Sequence, residues 1–191
     1  DISTYQTDKY WIAEGSKGLR SIQRKGSNSF EALNEPIILD GPYSNSAFDI
    51  VCKNDKVYMI IGGKDLLNGK RFDKGGYILT YDYDKWSFID PKEAQKKLNL
   101  PRNPRDYTSI AVTTDDSNDE IVYASSMGDG VIQYKNGTPV QSYNEKNAFK
   151  ETAGGYGSGY CYIDGLAFDK NGNLWMTSSE VNHAVLVLDK A

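Results

Sequence analysis

Any chemistry in this chain would have to pass through very few residues. His183 is the single histidine, so a Ser-His-Asp or Cys-His relay would depend on it, and no partner for it can be picked out of the sequence. The carboxylate pairs Asp115-Asp116 and Asp119-Glu120 suit acid–base work only where two environments push their pKa values apart, and they fall in a polar stretch that reads as a solvated hairpin. Asp169, Asn171 and Asn173 echo the first three oxygen positions of a calcium loop. The glycine is displaced and the closing glutamate is missing, so a plain Asn-Gly turn is the better reading. Cys52 and Cys161 are the two cysteines, too few for a disulfide framework or a zinc site, and both are expected to be small buried hydrophobes. Asn136-Gly137-Thr138 fits the glycosylation acceptor pattern, but a hairpin already accounts for the Asn-Gly pair. The expectation is a non-enzymatic chain with no catalytic residues, no metal and no cofactor.

Composition limits the partners. The 191 residues are 39% hydrophobic and 12% aromatic, with fourteen tyrosines, a load that suits half-buried strands and binding surfaces alike. A formal charge of −4 without a long Lys/Arg stretch gives no electrostatic footprint for nucleic acid or an anionic membrane. No run approaches the roughly twenty apolar residues of a spanning helix. The chain opens at Asp1 without an apolar leader, so an export signal is expected to have been removed or left out.

The elements that must position any site come from a repeat. Four segments place an aromatic inside an apolar run ahead of a glycine-bounded strand: YWIAEGSKGL from Tyr10, VYMIIGG from Val57, VYASSMGDGV from Val122 and LWMTSS from Leu174. The anchors Trp11, Tyr58, Tyr123 and Trp175 stand 47, 65 and 52 residues apart, near the roughly 40 to 50 residues of a four-stranded propeller blade once insertions are allowed for. Three anchors follow a short inner strand A, at AFDIVC from Ala47, TSIAVT from Thr108 and IDGLAF from Ile163. The anchors lie on strand B. Strand C is GLRSI from Gly18, GYILTYD from Gly76, GVIQYK from Gly130 and AVLVLD from Ala184, and outer strands D are expected near Trp86–Ile89 and Pro139–Tyr143.

Turn chemistry agrees with this reading. Asn171-Gly172 between A and B of the last repeat, and Asn136-Gly137 between C and D of the third, both favour the type I′ hairpin. Asp90 as N-cap, Pro91 at the first helical position and Glu93 in the first turn predict a connector helix over about 91–98. The expected fold is an all-β, partial propeller of three to four antiparallel blades, at about 8–33, 45–90, 107–148 and 161–190, taken as one segment over 1–191. The first repeat reads as lacking strand A and the last as ending before strand D. The expected shape is thus an arc belonging to a larger ring, whose open edges would be covered by more chain or by self-association.

GPYSNSAFDI from Gly41, Gly62-Gly63, GGYILTYDYDKW from Gly75 and DGLAFDKNGNLWMTSS from Asp164 together resemble PorZ-like proteins of the type IX secretion system, a likeness running through nearly all of the chain. The GNLW stretch at Gly172–Trp175 and the spacing of Trp11 to Gly18-Leu19 also resemble the two-component-regulator propeller repeat of hybrid sensor proteins. The first resemblance implies an exported protein, periplasmic or on the cell surface and associated with the outer membrane. It implies protein partners in a secretion complex, with lipopolysaccharide or another glycan as a further partner. The second implies a periplasmic ligand-sensing segment, the alternative function.

Blade geometry makes loop length informative. The long D-to-A connectors at about 33–46, 91–106 and 149–161, and the B-to-C insertion at about 64–75, are expected on one face, with tight hairpins on the other. That face supplies the candidate binding residues Arg71, Tyr77, Tyr156, Tyr160, Tyr162 and His183. GGYGSGYCY from Gly154 combines mobile glycines with three tyrosines able to stack on a flat ligand such as a sugar ring. Tyr162 also reads as the first residue of a strand A.

Overall fold

The computed structural model describes residues 2–13, 19–37, 41–44, 46–149 and 159–190. Among these residues fifteen strands and one helix follow in order: β1 Ile2–Gln6, β2 Lys9–Ala13, β3 Leu19–Arg24, β4 Phe30–Ala32, β5 Ala47–Lys53, β6 Lys56–Ile61, β7 Ile78–Asp82, β8 Lys85–Ile89, α1 Pro91–Leu98, β9 Tyr107–Thr114, β10 Glu120–Gly128, β11 Gly130–Lys135, β12 Thr138–Tyr143, β13 Cys161–Phe168, β14 Leu174–Ser178 and β15 Val185–Leu188. The fold is all-β and propeller-like: antiparallel meanders, each the size of a blade, follow one another along the chain.

The chain divides into two compact units at Gly41/Pro42, where the sequence reads as one segment. The first unit is the meander β1-β2-β3-β4. Its strand A is present after all: Ile2–Gln6 pairs antiparallel with Lys9–Ala13, so the repeat around Trp11 has four strands. Tyr10 packs edge-on against Phe30 at 6.1 Å, and the backbone N–H of buried Ser21 donates to Asn34 Oδ1 at 2.7 Å.

The second unit holds the meander β5-β6-β7-β8 and a seven-stranded sheet in which β9-β10-β11-β12 is joined to β13-β14-β15 through β10. The join is short, Met127 opposite Tyr162 and Gly128 opposite Cys161. Strands β9 to β11 are buried on both faces, and alternation decides which neighbour each residue meets. Ile110, Val112, Val122, Ala124, Ile132 and Tyr134 join a core with Tyr58, Ile60 and Ile78 of the preceding meander. Ala111 and Val131 point the other way, to Ile163, Leu174 and Met176. Polar ties lock the layers: Asp49 accepts the Ile110 N–H at 3.1 Å, and the Thr108 hydroxyl donates to the Ile163 carbonyl at 2.8 Å.

Helix α1 is capped as expected. Asp90 accepts the Lys92 N–H at 2.9 Å, Pro91 opens the first turn, and Asn99 closes the helix at φ 51°. Ala94 is fully buried.

Two local expectations are corrected. Asn136-Gly137 is the predicted type I′ pair, with φ 48° and 74°, but at Asn171-Gly172 only the glycine is left-handed. The reason lies two residues upstream. Asp169 accepts the N–H groups of Asn171 (2.8 Å) and Asn173 (3.0 Å), which winds a longer turn whose last residue, Gly172, takes φ 88°. The same turn recurs in the preceding repeat, where Asp115 accepts from Ser117 and Asp119 and Asn118 takes φ 62°. The remaining Asp169 oxygen accepts from Asn173 Nδ2 and Trp175 Nε1, both at 3.0 Å, so the calcium-like string is an Asx turn. Cys52, expected to be buried, is exposed, because the outer end of β5 has one open face; Cys161 is buried.

Candidate functional site

Loop 62–77, the insertion between β6 and β7, is anchored by Gly62, of the Gly62-Gly63 pair noted in the sequence, and by Asp106, which sequence reasoning did not single out. Gly62 crosses the chain at Asp106-Tyr107 with φ 135°, and a Cβ there would lie 2.4 Å from the Tyr107 nitrogen. That close approach requires glycine. Asp106, wholly buried at φ 48°, then staples three segments together. Its carboxylate accepts the N–H groups of Asp73 (3.1 Å) and Lys74 (3.0 Å). Its own N–H donates to the Lys74 carbonyl and its carbonyl accepts from Met127. Burial pushes the Asp106 carboxyl up, against the pull of the Lys74 N–H and the Arg71 guanidinium.

The connector 99–106 and the β10–β11 turn are joined in the same manner. Arg102 Nε donates to Asp129 Oδ1 at 2.6 Å and its Nη2 to the Gly128 carbonyl at 3.2 Å. Asp129 Oδ2 accepts the Arg105 N–H at 3.1 Å. Arg71 Nη1 reaches the Met127 carbonyl at 3.3 Å, and its Nη2 reaches Asp73 at 3.0 Å. An ion pair from Lys64 to Asp164 holds the base of the loop to β13.

These anchors place two guanidinium groups against one ring. Arg102 lies 4.4 Å and Arg71 5.5 Å from the centroid of Tyr160, both within cation–π range. Gly128 leaves the necessary room, since a Cβ there would stand 3.0 Å from both Arg71 Nη1 and Tyr160 Cδ1. Beside Arg102 a hollow of about 350 Å³ opens between Pro101, Asp129, Asn144 and Lys146. A larger cleft of about 760 Å³, lined by Tyr123, Tyr143 and Phe168, separates β9–β12 from β13–β15 near the Asp115 and Asp169 turns. Burial raises the Tyr123 hydroxyl to about 12.

Of the residues expected to bind, Arg71 and Tyr160 meet. Tyr162 is buried in β13, edge-on to Tyr160 at 6.3 Å, and supports the platform from behind. Tyr77 stacks elsewhere, 4.8 Å from Tyr43 and near Phe88, and a hydrogen bond with Tyr43 raises its hydroxyl to about 12. His183 sits exposed in the turn before β15 and joins no part of this cluster among the described residues. Tyr156 lies outside the described residues. The Arg-Asp alternation of PRNPRD, with MGDG a turn away, is the signal that could have pointed to Arg102, Asp106 and Asp129. Among the described residues no group of three His, Cys, Asp or Glu side chains is placed to hold a metal ion.

Successive antiparallel meanders, each the size of a blade, define a propeller-like, blade-repeat protein. The chain is similar to PorZ, a bacterial surface component of the type IX secretion system of Porphyromonas gingivalis, with TM-score 0.62 and 24% identity, over 98% of this chain and 24% of that one. The chain therefore spans about a quarter of the length of that protein, and the likeness shows the fold. A chain of the S. cerevisiae Dbp5 complex solved with IP6 and ADP aligns at TM-score 0.38 and 9% identity, over 94% of this chain and 52% of that one. The extracellular domain of a hybrid two-component system from B. thetaiotaomicron aligns at TM-score 0.18 and 12% identity, over 100% of this chain and 37% of that one. No protein-family model matches the sequence, and no curated relative matches it.

Proposed function

We propose that the chain is a non-enzymatic docking module of an exported surface protein, and that the Arg71–Tyr160–Arg102 platform is its contact surface for a protein partner of a secretion complex. The observation that carries this is the pre-organisation of the platform. Tyrosine and arginine are the side chains that dominate binding hot spots, and here both guanidiniums are oriented by Asp73, Asp129 and backbone carbonyls before any partner arrives. Little rotamer freedom is left to lose on binding. The likeness to PorZ supports a setting at the bacterial surface. For a glycan, the surface this reading assigns is the aromatic cleft of Tyr123, Tyr143 and Phe168.

The test is a quantitative pull-down from outer-membrane extracts of a bacterium with a type IX system, comparing the wild type with Tyr160→Ala and Arg102→Ala. Named secretion components enriched by the wild type and lost at least about tenfold in both variants support the reading. Equal recovery by all three proteins removes the platform from the account.

A further inference from the structure

Three Asn-Gly pairs occur in the chain, at 68–69, 136–137 and 171–172. Asparagine is a labile residue, and before glycine most of all, because no Cβ shields the glycine nitrogen from the preceding side-chain amide carbon. The glycine is the same in all three pairs, so the surrounding structure decides which of them can react. Asn68 is held at both ends of its amide: its Oδ1 accepts the Lys70 N–H at 2.8 Å and its Nδ2 donates to Asp65 at 2.8 Å. Asn136 is held likewise, with Oδ1 accepting the Glu120 N–H at 2.9 Å and Nδ2 donating to Asp119 at 2.8 Å. Before either amide carbon can swing to the next nitrogen, both bonds must break together.

Asn171 differs. It is exposed, and its side-chain amide has no hydrogen-bond partner among the described residues. The turn holds Asn171 by its backbone N–H, which Asp169 accepts at 2.8 Å. The Gly172 N–H is restrained by one bond of 3.1 Å to the Asp169 carbonyl, longer than the 2.7 Å bond that ties the Gly69 N–H to Asp65. The Asx turn thus fixes the backbone and leaves the reactive amide free.

We propose that Asn171-Gly172 is a self-modification site, the pair among the three that deamidates in the folded chain. Hydroxide takes the Gly172 N–H proton, and the nitrogen attacks Asn171 Cγ. The bond from Cγ to the amide nitrogen breaks, that nitrogen takes a proton from water, and ammonia leaves behind a five-membered imide. Water then opens the imide, at Cγ to give aspartate or at the Asn171 main-chain carbonyl to give isoaspartate. One water is consumed and one ammonia released, with no oxidant or reductant. The position gives the change a consequence. Asn171 lines the cleft of about 760 Å³, where Lys135, Lys170 and Lys190 balance Asp115, Asp116 and Asp189. One new carboxylate tips that mouth negative, and isoaspartate adds a methylene to the backbone of the turn that pairs β13 with β14.

The wild-type chain is held in warm, mildly alkaline buffer, native and in urea, and followed by peptide mapping with mass spectrometry that separates aspartate from isoaspartate. Each pair's native rate is read against its own rate in urea, which removes the effect of local sequence. Position 171 should keep most of its unfolded rate, while 68 and 136 are slowed at least about tenfold more by their paired hydrogen bonds. A second chain, Asn171→Ser, keeps the backbone N–H that the turn uses, and should lack the acidic species that the native wild type accumulates on anion exchange. Native protection of 171 equal to that of 68 or 136 overturns the proposal. So does an acidic species that persists undiminished in Asn171→Ser.

Discussion

Removing the Asp106 carboxylate is the sharpest perturbation of the loop face. Its oxygens accept two backbone N–H groups, from Asp73 and Lys74, and hydrogen bonds to a charged group contribute about 1.5–3 kcal/mol each. Asp73 and Lys74 are themselves exposed, so water can replace part of that, and Asp106→Ala should lose about 3 kcal/mol, a fall in Tm of about 6–12 °C. Asp106→Asn keeps one acceptor oxygen and tolerates the left-handed backbone, so its loss should be about half as large. The pH dependence follows from burial, which raises this carboxyl in the folded state. A raised folded pKa means that the folded state binds the proton more tightly. The stability linked to Asp106 is therefore complete below its unfolded pKa near 4 and is lost as pH rises through the folded value. The advantage of wild type over Asp106→Asn should thus be larger at pH 4 than at pH 7. Urea unfolding at both pH values, with limited proteolysis of loop 62–77, measures it. An advantage that grows towards pH 7 would mean that the backbone donors outweigh burial, and would refute the reasoning.

Three further outcomes follow. Gly62→Ala puts a Cβ 2.4 Å from the Tyr107 nitrogen at φ 135°, and should cost about 3 kcal/mol or more in denaturant unfolding. The buried hydroxyls of Tyr107 and Tyr134 lie 2.6 Å apart, so Tyr134→Phe should cost about 1–2 kcal/mol by stranding its partner, whereas Tyr107→Phe/Tyr134→Phe should recover most of that loss. Iodoacetamide applied to the native protein should label exposed Cys52 and spare buried Cys161 until denaturant is added, as read by peptide mass spectrometry.

The strands were legible because each repeat carries its own period. Val57–Ile61, Ile121–Ala124 and Leu174–Met176 announce buried strands from composition alone, and Asp90-Pro91 with Glu93 announces α1. Strand β1 escaped because Ser3, Thr4 and Gln6 give it a polar look and its partner residues lie across a short turn from the anchor at Trp11. The site was half legible. Aromatic and basic residues in long loops stand out one by one, as Arg71 and Tyr160 did. Asp106 reaches Asp73 and Lys74 across more than thirty positions, and Arg102 reaches Asp129 across 27. No local pattern encodes such pairings; they arise when neighbouring meanders stack and bring their connectors to one end.

What those connectors share explains the acidity of the chain. Asp49, Asp65, Asp90, Asp106, Asp115, Asp129 and Asp169 each spend a carboxylate oxygen on backbone N–H groups. Negative charge is thus a building material of the turns, and a pI near 5.1 carries little information about a partner. The turn carboxylates oppose Asp106 in sign. Hydrogen bonds from Trp175 and the Asn173 and Asn171 N–H groups bring Asp169 down to about 2, and the Lys135 ammonium lowers Asp115 and Asp119. A lowered folded pKa gives stability that is present above the unfolded value near 4 and is lost as pH falls through the folded one. Acid destabilisation should therefore set in below about pH 4 and continue towards about pH 2, and Asp169→Asn should be less stable than wild type at neutral pH, where the ionised carboxylate contributes in full, with a shallower curve in that acid window. Urea midpoints taken between these limits decide it: equal slopes for the two proteins would show that the Asp169 turn opens before it protonates.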